Sequence, residues 1–200
     1  MPTGVHIRDA REQLFDAAER VLLRDGPNAL TSRAVTTEAG CAKGVLHRHF
    51  ADFDGFLAEL LLDRIGRIDD QAAALCDSAG TGTVAGNLTG ALMTLFESVA
   101  VAIVALITSR DGLRARLRQA RPAGGIPVLT EAAAMIASYL AAERDLGRVA
   151  ADADVDTLAP TLIGAVHLLF ADREGTPPEA GAVRRTVTTV IAGVAVAAQL

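Results

Sequence analysis

Leu30-Thr31-Ser32-Arg33-Ala34-Val35-Thr36-Thr37-Glu38-Ala39-Gly40 runs straight into Cys41-Ala42-Lys43-Gly44-Val45-Leu46-His47-Arg48-His49-Phe50, and then into Ala51-Asp52-Phe53-Asp54-Gly55-Phe56-Leu57. Thr31 is placed to cap a short helix by accepting a backbone N–H bond. Leu30 before it and Val35 after it are spaced as a hydrophobic staple. Gly40 supplies the left-handed residue that ends such a helix. A short turn follows, and a second helix is expected from about Ala42. In it Leu46 and Phe50 fall one turn apart and face the core, so Lys43, Val45, His47 and Arg48 point elsewhere. Two short helices joined by a tight turn form a helix-turn-helix, whose second helix can enter the DNA major groove.

The flanking sequence supports that unit. Upstream, Leu14, Ala17, Ala18, Val21 and Leu22 recur at helical spacing, widened by Phe15, so a helix is expected over Arg8–Arg24. Asp25-Gly26-Pro27 stops it, and residues 1–7 read as a loose arm. Downstream, Asp52 is placed to cap a fourth helix that carries Phe56, Leu57, Leu60, Leu61 and Ile65. Ser78-Ala79-Gly80-Thr81-Gly82-Thr83 reads as a loop.

Beyond the loop the chain turns Ala-rich and apolar. The expected helices there are Val84–Thr108, apolar on all sides and hence central, Asp111–Arg121, Val128–Arg144, Val155–Ala171 and Ala182–Leu200. The turn at 122–127 and the loop at 172–181, with Pro177-Pro178, separate them, and Pro160 stands early enough in its helix to be tolerated. No stretch shows strand alternation. The expected fold is all-α with about nine helices: a helix-turn-helix head over 8–52, and a second domain over 53–200 joined to it by the helix from about 53 to 77.

Bulk properties limit the function. Of 200 residues, half are apolar and 4% aromatic, so the core is mainly aliphatic, and the net charge is −5. A nucleic-acid role must therefore rest on local charge. Residues 1–50 sum to +1 and hold three of the four histidines, whereas 51–200 sum to −6. Lys43 is the single lysine among 19 basic residues. Cys41 and Cys76 read as free, small apolar side chains in a reducing compartment. Met1–Arg24 is too charged for a secretory leader, and the longest apolar runs are shorter than the ~20 residues of a membrane span. A cytoplasmic protein without a membrane partner is expected. No nucleophile elbow, phosphate loop, dinucleotide fingerprint or zinc signature is present, so no catalysis, cofactor or metal is expected.

The segment Cys41–Phe50 resembles the recognition helix of TetR-family transcriptional regulators, usually Val-Ser-Lys-Gly-Thr-Leu-Tyr-Tyr/His-His/Tyr-Phe followed by a short turn and a Lys-Glu/Asp-x-Leu-Leu helix start. Leu30–Gly40 is similar to the family's second helix, and the resemblance covers roughly residues 8–65. Three positions depart from it. Ala42 replaces a Ser/Thr cap, His47 a Tyr, and Phe53 stands where a phosphate-contacting Lys is usual.

The resemblance implies a homodimer that reads a near-palindromic site on double-stranded DNA. It also implies a C-terminal core that binds a small, largely apolar effector and releases repression. The DNA-facing candidates are Thr31, Ser32, Arg33, Ala42, Lys43, Gly44, Val45, His47, Arg48 and His49. Lys43 can donate to phosphate or a guanine edge or be a solvated surface lysine, and Thr31 can be a plain cap. His49 is equally placed to pack inward. Candidate effector residues are Met93, Phe96, Met135, Tyr139, His167 and Phe170, the bulky or polar exceptions in the body; each could equally be core. Leu158, Leu162, Ala165, Val166 and Leu169, with Val187, Val190, Ile191 and Val194, form two stripes that a dimeric four-helix bundle would bury, or that pack within one chain. Arg114, Arg118 and Arg121 read as a solvated helix face, with a second nucleic-acid patch as the alternative. The rival functional reading is an all-α ligand-binding or scaffolding dimer that no longer reads DNA.

Overall fold

A computed structural model describes residues 7–97, 100–120, 124–171 and 177–196, with side chains from Ala10 onward. Of the arm expected at 1–7, Ile7 is already the first residue of α1, and residues 1–6, Arg121, the 172–176 part of the loop and the chain end at 197–200 lie outside the described residues. The described residues hold ten α-helices and one 3₁₀ turn. They are α1 (Ile7–Asp25), the 3₁₀ turn Pro27–Ala29, α2 (Ser32–Glu38), α3 (Gly44–His49), α4 (Phe53–Asp77), α5 (Val84–Glu97), α6 (Ala100–Ser109), α7 (Asp111–Ala120), α8 (Leu129–Asp145), α9 (Val155–Phe170) and α10 (Ala180–Ile191).

Two of the expected helices need correction. Val84–Thr108 is two helices, α5 and α6, with Ser98 and Val99 outside the described residues. A segment apolar on every side offers no periodic signal for such a division. The last helix ends at Ile191 rather than Leu200. After a turn at Ala192-Gly193, Val149 and Ala195 form an antiparallel bridge, in which Ala150 N–H donates to Val194 O (2.8 Å) and Val196 N–H donates to Arg148 O (3.1 Å). The buried Val149 and a run rich in β-branched residues favour this extended pairing over further helix.

The chain forms two compact units. The first comprises residues 1–63 and 102–124. In it α1 packs on α2, and α2 on α3, around Leu14, Val21, Leu22, Leu30, Val35 and Leu46, all buried. Phe15, Phe50 and Phe56 meet with ring centroids 5.0–5.8 Å apart, which fixes the end of α3 against α1 and α4. Leu113 and Leu117 of α7 are buried.

The second unit comprises residues 64–101 and 125–200. Helices α5, α8, α9 and α10 pack pairwise around Leu88, Leu92, Ile136, Leu140, Ile163 and Val187. Asp154 caps α9, accepting the Thr157 N–H at 3.1 Å and the Thr157 hydroxyl at 2.7 Å. Among the described residues no single helix is long and apolar enough to cross a membrane.

Candidate nucleic-acid interface

The helix-turn-helix forms through the local chemistry of its sequence. Thr31 is extended (φ −129°, ψ 158°), and its Oγ1 accepts the Ala34 N–H at 3.1 Å. The flanking Leu30 and Val35 are both fully buried. At the other end of α2, Gly40 adopts φ +65°, while Gly40 N–H and Cys41 N–H donate to Thr37 O and Thr36 O. These bonds satisfy the carbonyls that the helix end would leave open. The chain then enters α3 without a side-chain cap: Lys43 stands at the cap position in helical conformation, and Val45 N–H reaches Ala42 O at 2.9 Å. Ala42 thus provides a carbonyl but no hydroxyl. Asp52 caps α4 as expected, Oδ1 accepting the Gly55 N–H at 2.7 Å. That bond, ahead of Arg116, holds the Asp52 carboxyl below its usual range.

Thr31, Arg33, Ala42, Lys43, Gly44, His47 and Arg48 are exposed, and Val45 and His49 are half-buried. Ser32 differs from its expected role: its Oγ is buried and has no hydrogen-bond partner, so in this rotamer the hydroxyl faces away from solvent. His49 lies against the Phe50 ring (centroids 6.5 Å), and its carbonyl accepts from Arg11 at 3.4 Å, so part of it packs inward.

The basic residues of the first unit fall into two groups. Arg11 pairs with Glu59, Arg20 and Arg24 share Glu38, Arg110 pairs with Asp54, Arg114 with Asp111, and Arg116 with Asp52. Arg33, Lys43 and Arg48 form no ion pair among the described residues. Arg118 on α7 is likewise exposed and without an ion pair among the described residues, but Arg33, Lys43 and Arg48 are the ones on the helix-turn-helix, where their charge is available to an external anion.

Phe53, the third departure from the usual pattern, stacks on Phe56 (5.7 Å, 22°) and lies under the Arg110 guanidinium (5.4 Å to the centroid). Sequence reading did not pick out Arg110, because its partners are 56 to 80 residues away. Of the arginine face on α7, Arg118 is exposed and Arg114 is engaged with Asp111.

The expected effector residues divide into separate groups. Phe96 lies against His167 (5.8 Å) and Phe170 (5.6 Å, stacked). Burial holds the His167 pKa below its usual value. Met93 is half-buried and Met135 is buried on α8.

Tyr139, fully buried, belongs to a polar network instead. Its hydroxyl donates to Glu143 Oε1 at 2.5 Å and accepts from Asn87 Nδ2 at 3.0 Å. Burial first, and then Glu143, raises its pKa. Glu143 Oε2 accepts from Arg148 Nε (3.3 Å) and Gly80 N–H (3.3 Å), while Arg148 donates to Gly82 O (2.7 Å). This network fastens the 78–83 loop to α8. An open cleft of about 380 Å³ is lined by Gln71, Ala74, Leu75, Ser78, Asn87 and Thr94 among others, and contains none of the six expected residues.

The expected dimer stripes also divide. Leu162, Val166, Val187 and Ile191 are buried among the helices of their own unit and have no surface left to offer a partner, so they are core residues. Val194 lies beyond the end of α10. Leu158, Ala165 and Val190 are half-buried and Leu169 is exposed. Leu168 on α9, absent from the expected stripe, is 74% exposed. The apolar spacing identified two helix faces but could not separate the inner face from the outer.

Comparison with known proteins agrees with this geometry. Residues 14–60, from α1 into α4, match the sequence profile of bacterial regulatory proteins of the tetR family. No curated protein matches the chain. Among solved structures, a TetR transcription regulator from Haloarcula marismortui is 18% identical with a TM-score of 0.70, covering 95% of this chain and 100% of its own. The fatty acid degradation regulator FadR from Bacillus halodurans is 17% identical with a TM-score of 0.69, covering 96% and 98%. FadR from Bacillus subtilis, solved with stearoyl-CoA, is 16% identical with a TM-score of 0.66, covering 91% and 98%. Residues 14–60 thus carry the sequence pattern of the tetR family's N-terminal segment, and the chain takes the fold of solved TetR-family regulators.

Proposed function

We propose that this regulator binds double-stranded DNA as a homodimer through α2 and α3, and that a small, largely apolar effector in the C-terminal part weakens that binding and relieves repression. The reading assigns residues 8–52 to DNA and 53–200 to effector and partner. One observation carries it: all three Arg/Lys residues of the helix-turn-helix, Arg33, Lys43 and Arg48, are exposed and form no ion pair among the described residues. Gly44 leaves the start of α3 bare, with nothing within 4 Å of where a Cβ would stand, which suits close approach to a duplex. Thr31 and Arg33 at the start of α2 suit the phosphate backbone, whereas Lys43, Val45, His47 and Arg48 suit the groove and its edge. Two such heads reading successive major grooves would sit about 34 Å apart, so the site is near-palindromic.

Dimerisation is assigned to the outer faces of α9 and α10, where Leu168 and Leu169 are exposed and Thr161, Gly164, Gly181 and Ala192 leave room for close helix approach. The effector is assigned to the apolar interior near Phe96, His167 and Phe170. Acyl chemistry of the kind bound by the Bacillus subtilis relative is the first class to screen, by thermal shift.

The experiment is selection of a duplex from a randomised library by the full-length protein, followed by titration of Lys43→Ala on it. The variant is expected to bind about tenfold more weakly, with a salt slope smaller by about one if the contact is to phosphate. If the protein selects no duplex at low salt, the rival reading of a ligand-binding or scaffolding dimer replaces this one. The inward Ser32 hydroxyl and the Phe53 packing favour that rival.

A further inference from the structure

We infer that Arg110 is a positioning residue for the helix-turn-helix, its one guanidinium tying the peptide that enters α2 to the start of α4; the inference rests on the DNA-binding reading above. Arg110 lies between α6 and α7, in the 102–124 segment of the first unit. Its Nη2 donates to Leu30 O at 3.1 Å, its Nη1 lies 3.5 Å from Asp54 Oδ1, and its Cζ stands 5.4 Å from the centre of the Phe53 ring. Leu30 directly precedes the Thr31 cap, and Phe53 and Asp54 open α4, so these partners bracket the whole of α2, the turn and α3.

A planar guanidinium can hold a carbonyl, a carboxylate and an aromatic face together, which a single ammonium cannot. Nearby, Arg116 Nη2 pairs with Asp52 Oδ2, and Asp52 in turn caps α4 through the Gly55 N–H. Both contacts depend on glycine. A Cβ on Gly112 would stand 2.8 Å from Asp54 Oδ2, and one on Gly55 would stand 3.3 Å from Arg116 Nη1.

The arrangement also accounts for Phe53. Where TetR-family regulators usually place a lysine for phosphate, this chain places an aromatic ring that Arg110 covers. The start of α4 therefore serves to fix the head rather than to grip DNA. Arg110 and Arg116 further offset Asp54 and Asp52, two carboxylates that follow α3 in sequence and would otherwise repel a phosphate backbone.

The test compares full-length wild type, Arg110→Ala and Arg110→Lys by amide hydrogen exchange and by titration of the selected duplex over a range of salt. Both variants should lose exchange protection over residues 31–38 while α8 is unchanged. Both should bind about tenfold more weakly, as for one lost charge-assisted hydrogen bond, with the salt slope of wild type. A slope reduced by about one would make Arg110 a phosphate contact and overturn the positioning role. Unchanged protection over 31–38, or full recovery of protection and affinity in Arg110→Lys, would also overturn it. If Arg110→Ala does not fold, Arg110→Lys carries the same comparisons. If wild type selects no duplex, the DNA-binding reading fails, and the exchange result alone decides whether Arg110 fixes the segment.

Discussion

Replacing Glu143 by leucine should be among the most damaging single substitutions in the second unit. The side chain is fully buried, and its two oxygens serve three donors: the Tyr139 hydroxyl, the Gly80 N–H and the Arg148 guanidinium. Leucine would fill much of the space but leave Gly80 N–H without its acceptor and the Tyr139 hydroxyl without the group it donates to. It would also leave Arg148, whose side chain is 15% exposed, without a counter-ion. Breaking one side of a buried ion pair costs about 3–5 kcal/mol. The carbonyls of Thr81 and Gly82 still solvate the Arg148 cation, which holds the expected loss near the middle of that range, about 4 kcal/mol. For a domain of this size that is a fall in Tm of roughly 8–16 °C.

Urea and thermal denaturation followed by circular dichroism would measure the loss. The paired variant Glu143→Leu with Arg148→Leu removes both charges and should be closer to wild type than Glu143→Leu alone, since the single variant's main penalty is the uncompensated cation. A loss below about 1 kcal/mol in Glu143→Leu, or a double variant as unstable as the sum of the two singles, would refute this account of the network.

The two glycines of the head should respond in opposite directions. Gly40→Ala forces a side chain into φ +65° and should destabilise by about 1–2 kcal/mol although the space around it is open; Gly44→Ala, in helical backbone with equally open space, should stabilise by about 0.5–1 kcal/mol while weakening DNA binding. Urea titration together with duplex binding separates the two effects, and equal stability changes would contradict the assignment. For His167, burial disfavours the charged ring, so the folded pKa lies below the unfolded value of about 6.5. The stability linked to the neutral ring is therefore complete above about pH 6.5 and is lost as pH falls through the lower folded value. Melting scans from about pH 7.5 to 5.5 should show a smaller decline for His167→Phe than for wild type, and identical declines would remove His167 as the source.

Much of the head was legible because its determinants are local. A threonine followed within a few residues by a staple partner, a glycine at the helix end, and a lysine and glycine opening the next helix are short-range signals, and Thr31, Val35, Gly40 and Asp52 all do in the structure what their spacing predicts. The helices of the body were legible in kind but not in their limits. Uniform apolarity hid the division between α5 and α6, and the end of α10 is set by a bridge to Val149, more than forty residues earlier in the chain.

Sequence alone therefore determined that the chain is helical and that residues 30–57 form a helix-turn-helix. These are consequences of backbone propensity, capping and periodicity, which act over a few residues. Only the tertiary structure decided which apolar stripes are core, as with Leu162, Val166, Val187 and Ile191. It alone showed that Tyr139 belongs to a buried polar network and that Phe53 lies beneath Arg110. Helical periodicity says that a residue faces inward or outward but not against what. Partners separated by 50 to 80 residues meet only after packing has chosen them, and no local pattern records that choice.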